Sequence, residues 1–296
     1  MAETKNEVAA TGKQQASLIV NNTFVDGLIN QLQVKEKYGL SFPKGYNYNN
    51  ELMGAYLILK ETVDSNKKPV LDSCSQVSIA NTLMDMVTMG VSMQKKQCYP
   101  IAYGGKLSCQ VSVYGNTCIA RNFGLKDINA ICIFEGDKFK YHIENAKIVI
   151  DEHEQDFLNI DTDKIKGAYA ICTMTDGTQY VELMNMNMIL KAWQQGFGYK
   201  KDGNGTHQKF TDQMCEKTVK NRALKYIIRT YGTQAVSDAY DNVEVAENAD
   251  KVVESVQHDI ETQENTVDFE PDTTPEKVDG EVVNEEDLPD FMKANQ

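Results

Sequence analysis

The sequence has few of the features that mark secreted, membrane or metal-binding proteins. It contains only 6 prolines in 296 residues, and its 7 cysteines are an odd number with no CxxC pair. Scattered cysteines of this kind are typical of reduced thiols rather than of a disulfide framework or a zinc site. We find neither a basic and apolar leader nor an apolar run long enough to span a bilayer. We therefore expect a soluble cytoplasmic protein with no membrane contact.

The sequence also lacks the GxxxxGK[ST] loop that cradles nucleotide phosphates. Gly105-Lys106 is followed by Leu107, and the residue five before Gly105 is Pro100. The acidic run at 151–156 has neither HExxH spacing nor a nuclease carboxylate pattern, so we predict a solvated acidic loop between strands there. We therefore expect no ATP use, no catalytic residue and no metal site.

Positive charge is scarce overall, because 43 acidic residues against 30 basic ones give a net charge of -13. The acidic excess lies in one segment. From Asp238 to the C-terminus there are 19 acidic and 3 basic residues, which leaves 24 acidic and 27 basic residues before it. The first 237 residues are therefore net positive, at +3, as binding of a polyanion requires. Residues 238–296 are almost free of aromatic side chains, and we predict that this acidic tail is disordered.

The apolar pattern predicts a helical first third followed by antiparallel hairpins. After a flexible leader at 1–22, helical spacing recurs in 23–40, 49–63 and 74–93. Hairpin turns are predicted at Gly104-Gly105, at Glu135-Gly136-Asp137 and at Asp176-Gly177, with a short helix after the first hairpin. Further helices are predicted at 185–195 and 207–231. Because short turns rather than helices join the strands, the predicted fold class is α+β, in a core spanning 23–237.

One segment around the first predicted hairpin combines cations with aromatic rings. Its candidate nucleic-acid-binding residues are Lys95, Lys96, Tyr99, Tyr103, Lys106, Tyr114 and Arg121. Cations follow backbone phosphates while ring faces stack on any base, so this pattern favours binding of single-stranded nucleic acid. The alternative is a hairpin whose tyrosines pack into the core and whose lysines are merely solvated.

The predicted long helix and the loop before it form a second basic segment. Its candidate residues are Lys200, Lys201, Lys209, Lys217, Lys220, Arg222 and Lys225. At ~100° per residue, positions 209, 217 and 220 form one stripe, and positions 222, 225 and 229 form another roughly opposite. One stripe would line a groove for phosphates and the other would meet a neighbouring subunit or the same strand; ordinary solvated lysines are the alternative. We expect Trp193 in the core or a subunit contact, and no special role for His207.

In their order and spacing, these segments resemble the RecT family of phage and prophage recombinases. The resemblance covers about residues 23–232. It is carried by the first hairpin, the EGD turn, GAYAICTMTDGTQYVELMNMNMI, Trp193 and the helix QMCEKTVKNRALKY. Its most specific residues are Lys217, Thr218, Arg222, Leu224, Lys225 and Tyr226. Lys220-Asn221 departs from the pattern, in which an apolar residue followed by Arg is expected, so the charge layout of this turn differs.

The resemblance implies binding of single-stranded DNA and ATP-independent annealing of complementary strands in phage homologous recombination, with Mg²⁺ at most assisting. It also implies a homo-oligomeric ring or helical filament that holds single-stranded DNA and annealed duplex in a basic groove. The implied partners are a phage 5′–3′ exonuclease and a host single-strand-binding protein, in the bacterial cytoplasm. The implied fold resembles that of eukaryotic strand-annealing recombinases. The alternatives are a nuclease, an ATP-dependent strand-exchange recombinase, and a structural oligomer that meets DNA incidentally.

Three roles are open for the acidic tail. It can compete with DNA for the basic groove, recruit partners, or keep the protein soluble. The segment EEDLPDFM at 285–292 resembles the acidic tip by which bacterial single-strand-binding proteins recruit partners, although here it is not terminal.

Overall fold

The computed structural model describes residues 23–195, 199 and 205–243, so the predicted leader at 1–22 lies outside it. The helices are α1 (23–37), α2 (Tyr48–Glu61), α3 (Val70–Ser73), α4 (Gln76–Met89), α5 (Val113–Asn122), α6 (Met186–Gln194), α7 (Thr206–Lys209), α8 (Thr211–Tyr231) and α9 (234–243). The strands are β1 (Cys98–Tyr103), β2 (Lys106–Val111), β3 (Leu125–Phe134), β4 (Lys138–Glu144), β5 (Lys147–Glu154), β6 (Ile165–Met174) and β7 (Gln179–Asn185). Helices and antiparallel strands together confirm the α+β class.

The helical first third is confirmed, and local capping explains where its helices begin and end. Asn47 caps α2 by accepting a hydrogen bond from the backbone N–H of Asn50, and Ser75 caps α4 in the same way through Ser78. Gly90 ends α4 in the left-handed conformation, with φ of 69°. The apolar stripe of α4 is buried against α2 and the β1–β2 hairpin.

The β1–β2 hairpin turns at Gly104-Gly105, as predicted, and both glycines have positive φ, at 50° and 78°. Cys98 and Leu107 are buried on its inner face. There the Thr82 hydroxyl of α4 donates to the carbonyl of Leu107 at 2.8 Å. Since side chains alternate along a strand, Tyr99 and Tyr103 lie on the outer face. The hairpin is thus fixed on α4 with one tyrosine-bearing face turned away from it.

The central sheet has the order β3-β6-β7 and is antiparallel throughout. Its β6–β7 turn is at Asp176-Gly177, as predicted. There the Asp176 carboxylate accepts from the backbone N–H of Thr178 at 2.8 Å, and Gly177 has φ of 85°. Helix α8 packs against all three strands and buries Val219, Leu224 and Ile228. The sheet and α8 therefore form the centre of the hydrophobic core.

The predicted hairpin at Glu135-Gly136-Asp137 is wrong, because β3 pairs with β6 while β4 pairs with β5. The Asp137 carboxylate accepts from the backbone N–H of Phe134 at 2.8 Å and from the side chain of Gln155 at 2.9 Å. These bonds tie the turn to the end of β5, so the chain leaves the central sheet at this point. The predicted acidic loop at 151–156 is also wrong in its first four residues, which belong to β5.

Two boundaries near the C-terminal side differ from those predicted. The long helix is interrupted at Phe210, with φ of -133° and ψ of 56°, so Lys209 lies on α7 and not on the stripe of Lys217 and Lys220. Residues 238–243 continue α9, where Tyr240 and Val243 are buried in the core. The boundary predicted after residue 237 is therefore six residues too early; the disorder of the rest of the tail stays a prediction and lies outside the described residues.

Candidate nucleic-acid interface

A pocket of about 430 Å³ brings together four predicted residues from separate segments of the chain. It is lined by Lys95, Gln97, Val113, Tyr114, Thr117, Cys118, Arg121, Ile128 and Lys220. Three of these side chains are cationic and none is a carboxylate. We call this set the basic pocket. Sequence reasoning had placed Lys95, Tyr114 and Arg121 in one segment and Lys220 in the other.

The start of α5 is tied to the turn that carries the lysines before β1. Ser112 caps α5 by accepting from the N–H of Gly115, and its hydroxyl lies 2.9 and 3.0 Å from the carbonyl oxygens of Lys96 and Gln97. A Cβ at Gly115 would overlap the carbonyl oxygen of Gln97, so only glycine permits this close approach. The backbone thereby holds Tyr114, in the first turn of α5, beside the preceding basic turn.

A buried polar network fixes α5 against α8 beneath the pocket. Asn116 donates from its side-chain amide to Asn221 Oδ1 at 3.1 Å and accepts from the Tyr240 hydroxyl at 2.9 Å. Asn221 therefore points toward α5, while Lys220 lines the pocket. This contact gives a physical reason for the uncharged residue at position 221, where the resemblance led us to expect Arg. Local sequence patterns miss it because the two asparagines are 105 residues apart.

The cations of the basic pocket are only weakly compensated. Lys95 lies 3.8 Å from Glu51 and Lys220 lies 3.7 Å from Glu216, both at the outer limit of an ion pair. Arg121 has no ion-pair partner among the residues that the structure describes. The Lys220–Glu216 pair is partly exposed, and such pairs contribute about 0–1 kcal/mol, so a phosphate can replace Glu216 at small cost. Glu51 is only 12% exposed, so its distant contact with Lys95 is the more costly of the two to give up. Tyr114 is 75% exposed, with its ring open to solvent.

The outer face of the β1–β2 hairpin extends away from the basic pocket. Tyr99 is 44% exposed, whereas Tyr103 is half-buried near the hairpin tip. Lys106, opposite Tyr103, lines a separate pocket of about 260 Å³ together with Val243. Five residues of extended strand separate the two ends of the hairpin by ~17 Å. Lys96 adjoins the basic pocket in a turn where its φ is 55°.

Arg222 lies on a different side of α8. Its Nε is 2.9 Å from Glu182 Oε1, and that carboxylate is only 12% exposed. The Tyr180 hydroxyl donates to the same carboxylate at 2.8 Å, and the Tyr180 ring stacks on Tyr226 at 4.3 Å between centroids. Burial, then the hydrogen bond to Glu182, raises the pKa of Tyr180. Arg229, two turns further along α8, lies 2.8 Å from Asp241 of α9, and neither Lys225 nor the other two members of the predicted second stripe lines the basic pocket.

A third group surrounds the start of α8. Trp193 is buried, as predicted for a core residue, and its indole N–H donates to the Thr218 hydroxyl at 2.7 Å. The His207 ring lies 4.9 Å from that of Trp193, and its pKa is lowered by burial and then by Lys217. No local pattern predicts this aromatic contact, since the rings are 14 residues apart. Lys209 follows on α7, and Lys200 and Lys201 lie outside the described residues.

The run at 151–156 contains His153, whose side chain is buried. His153 lies 3.0 Å from Asp137 Oδ2 through Nε2 and 3.0 Å from the Tyr169 hydroxyl through Nδ1. Burial alone would raise the pKa of Asp137, but hydrogen bonds from Gln155, the Phe134 N–H and His153 outweigh burial and lower it. In the described part of the chain, no group of three or more His, Cys, Asp or Glu residues is placed to hold a metal ion.

Comparison with known proteins decides the family. A model of the RecT family matches residues 51–257, which is 207 of the 296 residues and includes every strand and α8. The chain belongs to the RecT family. RecT-family proteins act in phage single-strand annealing during recombination, and the annealing proteins of the family are generally not catalytic enzymes. No match was found among curated proteins. None of the helices that the structure describes has the length and apolar character needed to cross a bilayer.

Proposed function

We propose that this RecT-family protein binds single-stranded DNA at the basic pocket and anneals complementary strands without ATP. The observation that carries the proposal is the convergence of Lys95, Arg121 and Lys220 on the exposed ring of Tyr114, with no carboxylate in the lining. Three cations and an open ring face are the parts that sequence-tolerant binding of a single strand requires.

Annealing demands that two mutually repelling phosphate backbones be neutralised while the bases stay free to pair. The cations of the basic pocket supply the neutralisation, and Tyr114 holds a base by its face and leaves its pairing edge open. Base pairing and stacking then provide the driving free energy, so no covalent bond changes and no nucleotide hydrolysis is needed.

The proposed strand path continues beyond this pocket. On one side it passes Lys96, Tyr99, Tyr103 and Lys106 along the outer face of the hairpin. On the other it reaches Lys217 and Lys209, while Lys200 and Lys201, outside the described residues, stay predicted contacts. Because Arg222 is held by Glu182, we assign it first to fixing α8 on β7. Lys225 stays a predicted contact.

The proposed working form is a homo-oligomeric ring or helical filament in the bacterial cytoplasm, where successive basic pockets hold one strand and then the annealed duplex. A phage 5′–3′ exonuclease would supply the single strands. On these strands the protein would encounter a host single-strand-binding protein. Mg²⁺ would assist only by screening phosphates.

Two complementary labelled oligonucleotides, mixed with the protein with and without ATP and with and without Mg²⁺, test this proposal. We expect duplex formation in every mixture and intact strands on a denaturing gel. Shortened strands would establish a nuclease instead, and pairing only with ATP would establish a nucleotide-driven recombinase.

A pair of matched charge variants tests whether DNA binds at the basic pocket. We expect Arg121→Gln to weaken binding of single-stranded DNA about tenfold and to lower the salt slope by ~0.7 for one lost phosphate contact. The control is Lys147→Gln, which removes an exposed charge at the β4–β5 turn. Equal losses in the two variants would indicate nonspecific charge effects, and unchanged annealing in Arg121→Gln would favour a structural oligomer that meets DNA incidentally.

A further inference from the structure

We propose that the acidic segment after Val243 occupies the basic face of this protein when DNA is absent, and that single-stranded DNA must displace it. The basic face comprises the basic pocket with Lys96 and Lys106. This inference rests on the proposed function, since it concerns regulation of the same surface. Its occupant is the chain's own C-terminal segment, residues 244–296.

The origin of the segment supports this assignment. Val243 and Lys106 line the same pocket, so the chain leaves α9 beside a cation of the basic face. Tyr240, one turn earlier, donates to Asn116, which lies on α5 between Tyr114 and Arg121. The hydrogen bonds that hold the basic pocket in place thus also hold the start of the acidic segment.

The charge of the segment complements the face. Residues 244–296 contain 17 acidic and 3 basic residues, so removing them from totals of 43 and 30 leaves 26 acidic and 27 basic residues. The net charge changes from -13 to +1. The first three acidic positions, Glu244, Glu247 and Asp250, come within seven residues of Val243.

The reach of the segment is sufficient. Extended chain spans about 3.3 Å per residue, so six residues cover the ~17 Å of the hairpin from Lys106 to Cys98, where the turn that carries Lys95 and Lys96 begins. A covalently attached competitor acts at a high effective concentration, in the millimolar range for a short flexible link. Even weak carboxylate contacts with these cations therefore compete with DNA at low salt.

Competition differs from simple repulsion in what can be measured. If carboxylates already neutralise the cations, DNA binding exchanges one polyanion for another and releases fewer counterions. The salt slope of the natural protein is then smaller, by ~0.7 for each cation that the segment covers. Competition also requires the carboxylates to contact particular lysines of the basic face, whereas simple repulsion of DNA by a negative segment requires no such contact.

The test uses the full-length chain with Glu→Gln and Asp→Asn at all 17 acidic positions after Val243. The matched control keeps the composition of residues 244–296 in shuffled order. We expect the neutralised chain to bind single-stranded DNA about tenfold more tightly near 50 mM salt, with the difference fading toward 1 M as screening increases. The shuffled control should behave as the natural chain. A zero-length carbodiimide should cross-link the segment to Lys95, Lys96 or Lys106 in the free natural protein, and DNA should remove these cross-links.

Equal affinities and equal salt slopes in the natural and neutralised chains would overturn the inference and leave the proposed function standing. Cross-links confined to lysines outside the basic face would also overturn it. Absence of DNA binding in every variant, the neutralised chain included, would overturn the proposed function and this inference together.

Discussion

At the scale of single residues, Tyr114 tests whether a base stacks at the pocket. Its side chain is 75% exposed, so Tyr114→Ala should fold normally. Loss of one stacked base costs about 1–3 kcal/mol, and we expect Tyr114→Ala to weaken binding of single-stranded DNA by roughly fivefold to a hundredfold. Tyr114→Phe should bind as the natural protein does. Fluorescence anisotropy with a labelled oligothymidine measures both, and equal affinity of the Ala and Phe variants would remove Tyr114 from the interface.

Arg222 is predicted to affect stability more than DNA binding. Its removal leaves the largely buried Glu182 carboxylate without its cation, beside the Tyr180 hydroxyl. We expect Arg222→Ala to lower the free energy of unfolding by about 1 kcal/mol, and Glu182→Gln in the same chain to recover part of the loss. Urea unfolding of the two single variants and the double variant measures the coupling. If Arg222→Ala instead weakens DNA binding and leaves the free energy of unfolding unchanged, Arg222 is a DNA contact.

Sequence reasoning found the charged and aromatic members of the basic pocket because their chemistry is visible one residue at a time. The sequence alone predicts Lys95, Tyr114, Arg121 and Lys220 as nucleic-acid contacts. It does not predict the Asn116–Asn221 contact, since an asparagine carries no local sign that it will be buried. Arg222 shows the converse: its charge suggested a phosphate contact, but a nearby carboxylate on β7 holds it.

At the scale of secondary-structure elements, turns rich in glycine were predictable and turns fixed by tertiary contacts were not. Gly104-Gly105 and Asp176-Gly177 supply the positive φ that tight hairpins need, and both turns form. The β4–β5 turn uses Asn145-Ala146, with φ of 49° and 61°. Asn commonly adopts this conformation, but Ala rarely does, so the pair is not a recognisable turn signal. The hairpin predicted at Glu135–Asp137 is wrong because the Asp137 carboxylate bonds to Gln155 and His153, which are distant in sequence.

Helix α9 is predicted to be essential although its sequence begins the acidic tail. A chain that ends after residue 237 loses Ala239, Tyr240 and Val243 from the core, together with the hydrogen bond to Asn116. We expect a loss of about 3 kcal/mol or more in the free energy of unfolding. A chain that ends after Val243 should unfold like the full protein in urea. Equal midpoints for the two truncated chains would show that α9 contributes nothing.

The Asp85 carboxylate, where α4 meets α9, makes the free energy of unfolding depend on pH. Burial raises the pKa of Asp85 to about 6, although the hydrogen bond from Asn242 opposes this. Since this pKa is higher in the folded than in the unfolded chain, stability is favoured below about pH 4 and lost as the pH rises through 6. We expect Asp85→Asn to stabilise the protein by about 1–2 kcal/mol at pH 8 and not at pH 4. Urea unfolding at both pH values checks this, and an equal effect at both would show that ionisation is not the cause.

At the scale of the whole molecule, the division of charge was the most informative property of the sequence. The net charge of -13 argues against DNA, whereas a body of net charge +3 argues for it. Composition alone predicts this division of charge, but it cannot predict that the two basic segments meet in the folded protein. Their meeting depends on α8 crossing the sheet and packing on α5, which is set by long-range burial.

The reactivity of the cysteine thiols can report directly whether DNA covers the basic pocket. Six of the seven free cysteines are buried, and Cys118 alone is partly exposed, in the lining of the basic pocket. Burial raises the pKa of Cys172 to about 12, which illustrates why the buried thiols are unreactive. We expect a thiol reagent to modify one cysteine quickly in the native protein and the other six only after unfolding.

Cys118→Ser should abolish the fast reaction, which identifies the residue. Single-stranded DNA should slow the reaction of the natural protein at least severalfold, because a strand held by Lys95 and Arg121 covers the sulfur between them. Added salt should reverse this protection as the DNA dissociates. An oligonucleotide that binds without slowing the reaction of Cys118 would place the DNA elsewhere on the molecule, whatever the affinities of the charge variants.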